Sequence, residues 1–119
     1  MTAWLLVCVG AALGAPARYL LDRFVQSRHT ALIPWGTLTI NLSGAFLLGG
    51  LYGSAADADL LLLLGTGFCG AFTTFSTFAF ETVRLVEDRA AGAAFGNLAI
   101  TLLGGVGAAF AGFALTASW

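Results

Sequence analysis

Phe75 and Phe78 stand three residues apart, so a helix sets both rings on one face, and Thr73, Thr74, Ser76 and Thr77 place four hydroxyls around them. The edge of an aromatic ring carries positive potential. Ring edges beside hydroxyls and an amide offer weakly polar donors to a small anion, without a fixed positive charge that would trap it. Conduction needs binding strong enough to admit an ion and weak enough to release it. The other use of such a ring stripe is packing or lipid contact. The candidate amide is Asn41, with Thr37 one turn before it on the same helical face. An amide at bilayer depth bonds either a neighbouring helix or a permeating species.

The rings lie in residues 65–81, an apolar stretch interrupted by Gly65, Gly67 and Gly70 and then by the hydroxyl run. A segment that only anchored a protein in lipid would need neither. The glycines and threonines predict a helix break over 67–74. A break frees carbonyls that need a donor or a cation in a membrane core, so the alternatives here are a monovalent cation site and a simple glycine kink. Arg18, Glu81 and Arg84 fall near the ends of apolar runs, where each either snorkels to the interface or shapes the potential of an aqueous vestibule. In the last apolar run, Asn97 and Thr101 are four apart and share one face.

Four helices must carry these groups. The chain has 119 residues, 59% of them hydrophobic and 9% charged, where a soluble domain needs roughly a quarter charged to cover its surface. Lipid must do the covering. A span takes about 20 apolar residues, and the pattern predicts spans over 2–21, 35–52, 60–85 and 93–115, joined by polar connections at 22–30, 53–59 and 87–92. The expected fold is an all-α membrane protein, a single domain of four transmembrane helices with a broken third helix. Small residues such as Gly10, Gly14, Gly104, Gly105 and Gly112 let helices approach closely. A net charge of −1 excludes a nucleic-acid role, which needs clustered basic charge. Cys8 and Cys69, far apart and without flanking ligands, read as small apolar residues. Nor does the chain read as an enzyme: it has no nucleophile–base pair, no metal-ligand spacing and no phosphate loop, and its one histidine, His29, lies in a connection. The start of the chain lacks the basic region of a signal peptide, so the first run reads as a retained span.

The runs Gly36-Thr37-Leu38-Thr39-Ile40-Asn41 and Gly67-Phe68-Cys69-Gly70-Ala71-Phe72-Thr73-Thr74-Phe75-Ser76-Thr77-Phe78 resemble the CrcB/Fluc family of fluoride ion channels. The likeness extends over the four-span layout, and Gly14-Ala15-Pro16-Ala17-Arg18-Tyr19 is similar to the family's first-span ending. This resemblance implies an antiparallel dimer in the cell membrane with two fluoride pores at its interface and a structural sodium ion on its axis. It implies that Phe75 and Phe78 present ring edges to fluoride, that Asn41 is the pore amide, and that Ser76 and Thr77 belong to a polar track, for which Asn97 and Thr101 are the fourth-span candidates. Gly70 and Thr73 would supply carbonyls to sodium, and Arg18 and Glu81 would be the vestibule charges.

All five basic residues, Arg18, Arg23, Arg28, Arg84 and Arg89, fall on one side of the threaded spans, and the other side carries Asp57 and Asp59. If one orientation dominates, such bias places both termini outside the cytoplasm, and the partner in an antiparallel dimer is an oppositely oriented homologous subunit. A chain that inserts both ways pairs instead with a second copy of itself in a dual-topology homodimer. Two other functions bear weighing. A small four-span drug/proton antiporter needs an embedded carboxylate, which the first span lacks. A non-conducting structural subunit would have no need of Asn41, Phe75 and Phe78.

Overall fold

The computed structural model describes residues 2–28 and 34–118. Every element among them is helical. The first helix, α1 (Thr2–Arg28), runs past the expected end of its span. The residues read as a polar connection, 22–28, are its last two turns, while His29 and Thr30 lie outside the described residues. The extension holds because its polar side chains bond within the helix: Arg23 donates to the Tyr19 hydroxyl at 3.2 Å, and Ser27 donates to the Phe24 carbonyl. The Arg23 and Arg28 guanidinium groups lie 5.8 and 4.9 Å from the Tyr19 and Phe24 ring centres, and Val25 is buried. At 1.5 Å per residue α1 is about 40 Å long, more than a hydrocarbon core of about 30 Å.

Pro34 precedes α2 (Trp35–Gly53), and its carbonyl takes the Leu38 N–H. This helix buries more residues than any other, among them Thr37, Leu38, Ile40 and Gly44. After a turn in which Ala55 adopts φ 56°, Asp57 caps the next helix by accepting the Leu60 N–H at 2.8 Å. That helix, α3, covers residues 58–72. It opens as an α-turn at Ala58–Leu60, widens to π-helical geometry over Leu61–Cys69 and closes as an α-turn at Gly70–Phe72. The chain then extends at Thr73 and Thr74 and restarts as α4 (Phe75–Glu87). A tight turn with Arg89 at φ 60° leads into α5 (Ala91–Ala117).

Among the described residues, three stretches are long and apolar enough to cross a membrane: Thr2–Arg28, Ala58–Glu87 and Ala91–Ala117. At 19 residues α2 reaches about 28 Å, but Thr37, Thr39, Asn41 and Ser43 interrupt its apolar run, which its burial against the other helices accommodates.

Glycine sets the pairing. A Cβ on Gly10 would run into the Leu63 carbonyl and Phe68 amide, and one on Gly14 into the Phe68 carbonyl. On the other side, Gly49 and Gly53 of α2 press on the Ala109 and Phe113 carbonyls, and Gly112 of α5 presses on the Phe46 carbonyl. In both pairs the contacts advance in step along the two chains. Hence α1 runs parallel to α3 and α4, and α2 runs parallel to α5. This two-up, two-down order gathers the ends of α1 and α4, and so all five arginines, at one end of the bundle.

Candidate functional site

The break that sequence placed over 67–74 is narrower in the structure. Gly70 is helical, with φ −61° and ψ −38°, and only Thr73 (φ −83°, ψ 162°) and Thr74 (φ −150°, ψ 120°) are extended. Gly67 serves close packing rather than chain reversal, with Val7 and Gly10 of α1 against its backbone. The interruption is made instead by α2. Asn41 Oδ1 accepts the Thr74 N–H at 3.0 Å, and its Nδ2 donates to the Thr74 carbonyl at 3.1 Å. One carboxamide thus stands in for both helical partners of a residue whose dihedrals allow none, and this pairing dictates which way the amide faces. One Nδ2 hydrogen remains over.

Carbonyls are released as a result. In an unbroken helix Thr74 N–H would bond the Gly70 carbonyl, and here it bonds Asn41. Thr77 N–H would bond the Thr73 carbonyl, and here it bonds Thr74 Oγ1 at 3.3 Å. Thr73 N–H and Oγ1 both reach back to the Cys69 carbonyl, at 2.9 and 2.8 Å. Gly70 and Thr73 therefore each hold a main-chain oxygen without its helical donor, the donor type that suits a hard monovalent cation. No group of three or more His, Cys, Asp or Glu side chains gathers among the described residues.

The first turn of α4 carries the rings. Phe75 and Phe78 have centroids 5.9 Å apart and planes tilted by 55°. Phe78 is 6% exposed and Phe75 is 79% exposed, so the pair runs from the interior outward. Thr74 Oγ1 donates to Thr77 Oγ1 at 3.2 Å and lies 3.5 Å from Ser76 Oγ, which knits the three hydroxyls into one cluster. Both rings line an open groove of about 420 Å³ with Asn41, Thr73, Thr74 and Thr101.

The remaining sequence candidates divide. Thr101 enters the groove, and its hydroxyl is buried without a hydrogen-bond partner among the described residues. Asn97 does not enter it. At 1% exposure it donates to Thr82 Oγ1 of α4 at 3.0 Å. Thr37 is buried and lies with Asp22 and Arg84 near the Glu81 carboxylate, and none of the four lines the groove. Asp22 and Glu81 each keep one buried carboxylate oxygen without a hydrogen bond among the described residues. Arg18 is half-buried on α1, one turn before Asp22. Sequence reasoning counted Thr74 among the hydroxyls without seeing its pairing with Asn41, and it passed over Thr82. The signal for Thr74 was its place directly before the ring helix with Thr77 three residues on, and for Thr82 its place one turn beyond Phe78.

A helical membrane protein thus carries a largely apolar groove in which an amide and a few hydroxyls stand beside a clamped helix break and a ring pair. A family profile described as "CrcB-like protein, Camphor Resistance (CrcB)" matches residues 5–113. The chain is 54% identical over 111 residues to a Nocardia farcinica protein named fluoride-specific ion channel FluC 1, covering 93% of this chain and 78% of the relative. It is 54% identical over 113 residues to a Streptomyces avermitilis protein of the same name, covering 92% and 91%. A Mycobacterium tuberculosis protein named fluoride-specific ion channel FluC 2 is 46% identical over 109 residues, covering 92% and 86%. The chain belongs to the CrcB family, a family of ion channels and not of enzymes.

Proposed function

We propose that this chain is the subunit of a fluoride-selective channel that lets fluoride leave the cell passively through the plasma membrane. The observation that carries the reading is the Phe75–Phe78 pair set beside the Asn41-held break on a shared groove. Fluoride is small and strongly hydrated, and ring edges, the Ser76 and Thr77 hydroxyls and the spare Asn41 hydrogen replace its water piecewise. None of these groups carries full charge, so none holds the ion too long. Thr101 adds a hydroxyl from the facing helix. Arg18 and Glu81 act at the mouth through their field, with Thr37 beside Glu81.

The groove is open on the side where Phe75 projects, and one subunit supplies only one wall. An antiparallel dimer closes two such grooves into two pores and brings the two breaks together on its axis. The Gly70 and Thr73 carbonyls of each subunit would then hold a structural sodium ion, which neutralises four main-chain dipoles and ties the breaks together. In this reading α2 crosses the bilayer as a fourth span, shielded from lipid by its neighbours. The five arginines at one end favour insertion with both termini outside the cytoplasm, and with that orientation the partner is an oppositely inserted homologous subunit rather than a second copy.

Efflux from liposomes carrying the purified chain tests this. Fluoride release without chloride release is expected, from the chain alone for a homodimer and only with the companion subunit for a heteromer. Release of chloride at a comparable rate, or proton-coupled drug exchange instead of fluoride flux, would overturn it.

A further inference from the structure

Asn97 is one of the two largest side chains that are fully buried, and it sits in a helix otherwise made of apolar and small residues. A carboxamide buried that deeply is costly unless it is bonded. Its Nδ2 donates to Thr82 Oγ1 at 3.0 Å, and the Thr82 hydroxyl in turn donates to the Phe78 carbonyl at 2.8 Å. The relay therefore starts on α5, crosses to α4, and ends on the main chain of the residue that bears the inner ring.

The location matters because α4 is a severed half-helix. Thr73 and Thr74 are extended, so no continuous ladder transmits the position of α3 to it, and lateral anchors must place it. Asn41 of α2 supplies one at Thr74. Thr82 lies eight residues further, about 12 Å along the axis, and Asn97 holds it there. Phe75 and Phe78 lie between the two amide anchors.

We propose that Asn97 is a positioning residue for the anion site: through Thr82 it fixes the second turn of α4 against α5, and so sets where the Phe78 ring stands relative to the Asn41-held break. It does not touch the ion. The transport consequence rests on the fluoride reading above, whereas the anchoring itself does not.

The full chain, reconstituted with its companion subunit if flux requires one, is compared with Asn97→Leu, Thr82→Val, the double variant and Thr82→Ser. Fluoride efflux is measured against fluoride concentration, and amide hydrogen exchange is followed over residues 75–87. Leaving one partner of a buried hydrogen bond unsatisfied shifts an equilibrium by about fivefold or more. The half-saturating fluoride concentration is expected to rise by that factor in Asn97→Leu and Thr82→Val. The double variant should be no worse than either single change, since all three break one relay, and Thr82→Ser should stay close to the parent. Exchange at 78–82 should quicken in the same variants and in no other helix. A fall in maximal rate with unchanged half-saturation would mean fewer folded channels and would overturn the proposal. If the parent chain passes no fluoride, the functional reading fails, and exchange alone decides the anchor: unchanged protection at 78–82 in Thr82→Val rejects it. Should Asn97→Leu fail to fold, the Thr82→Val and Thr82→Ser pair carries the comparison.

Discussion

Asn41 does two things with one carboxamide. It satisfies the N–H and carbonyl of Thr74, and it has one Nδ2 hydrogen left over on a side chain that borders the groove. Replacing it by Leu strands both Thr74 groups, at about 1–3 kcal/mol for each buried group left unbonded. Asn41→Leu should therefore lower the thermal midpoint of the detergent-solubilised protein as well as abolish fluoride flux, and a variant of normal stability would show that the clamp carries no weight. The ring pair separates these effects. Phe75 is largely exposed on the subunit and Phe78 is packed, so Phe75→Ile should leave subunit stability unchanged while Phe78→Ile costs about 1–2 kcal/mol. Both should cut fluoride efflux, and intact flux in both would remove the ring-edge mechanism.

Among the elements, glycines of the same appearance in sequence do different work. Gly49 backs onto the Ala109 carbonyl, whereas a Cβ on Gly70 meets no atom within 4 Å. Gly49→Ala must push α2 off α5, and overpacking of that kind costs about 1–3 kcal/mol, visible as a lowered unfolding midpoint of the subunit. Gly70→Ala has room within the subunit. In the proposed dimer its expected effect falls on assembly at the two breaks, measured by size-exclusion chromatography at falling protein concentration, and unaltered assembly would remove Gly70 from the proposed axial contact. The helices and the severed third helix were legible as elements because hydropathy and glycine content report on single segments, though only three of the four stretches read as spans are long and apolar enough to cross a membrane. The width of the break was not, since Gly67 and Gly70 look like breakers until α1 is seen packing on one and the helix continuing through the other.

For the whole molecule, the parallel pairing of α1 with α3 and α2 with α5 collects every arginine at one end, and this makes orientation testable. Cysteine labelling of intact cells at the 53–57 turn should proceed from outside only, and equal labelling from both faces would indicate a chain that inserts both ways. Replacing sodium by a large organic cation in every buffer should weaken dimerisation and slow fluoride efflux. Flux indifferent to sodium would leave the Gly70 and Thr73 carbonyls without the role assigned to them.

Hydropathy, ring spacing and the hydroxyl run are local properties, so sequence by itself determined that this is a helical membrane protein and singled out Phe75, Phe78 and Asn41 as the candidate chemistry-bearing groups. It could not determine which partner each polar group takes, because a hydrogen bond between helices depends on register and crossing that no single segment contains. Tertiary structure decided that Asn41 grips Thr74, that Thr101 faces the groove, and that Asn97, spaced one turn from Thr101 and indistinguishable from it by pattern, turns away to hold Thr82. The spacing of a helix tells which residues share a face. Only the neighbour packed against that face tells what they are for.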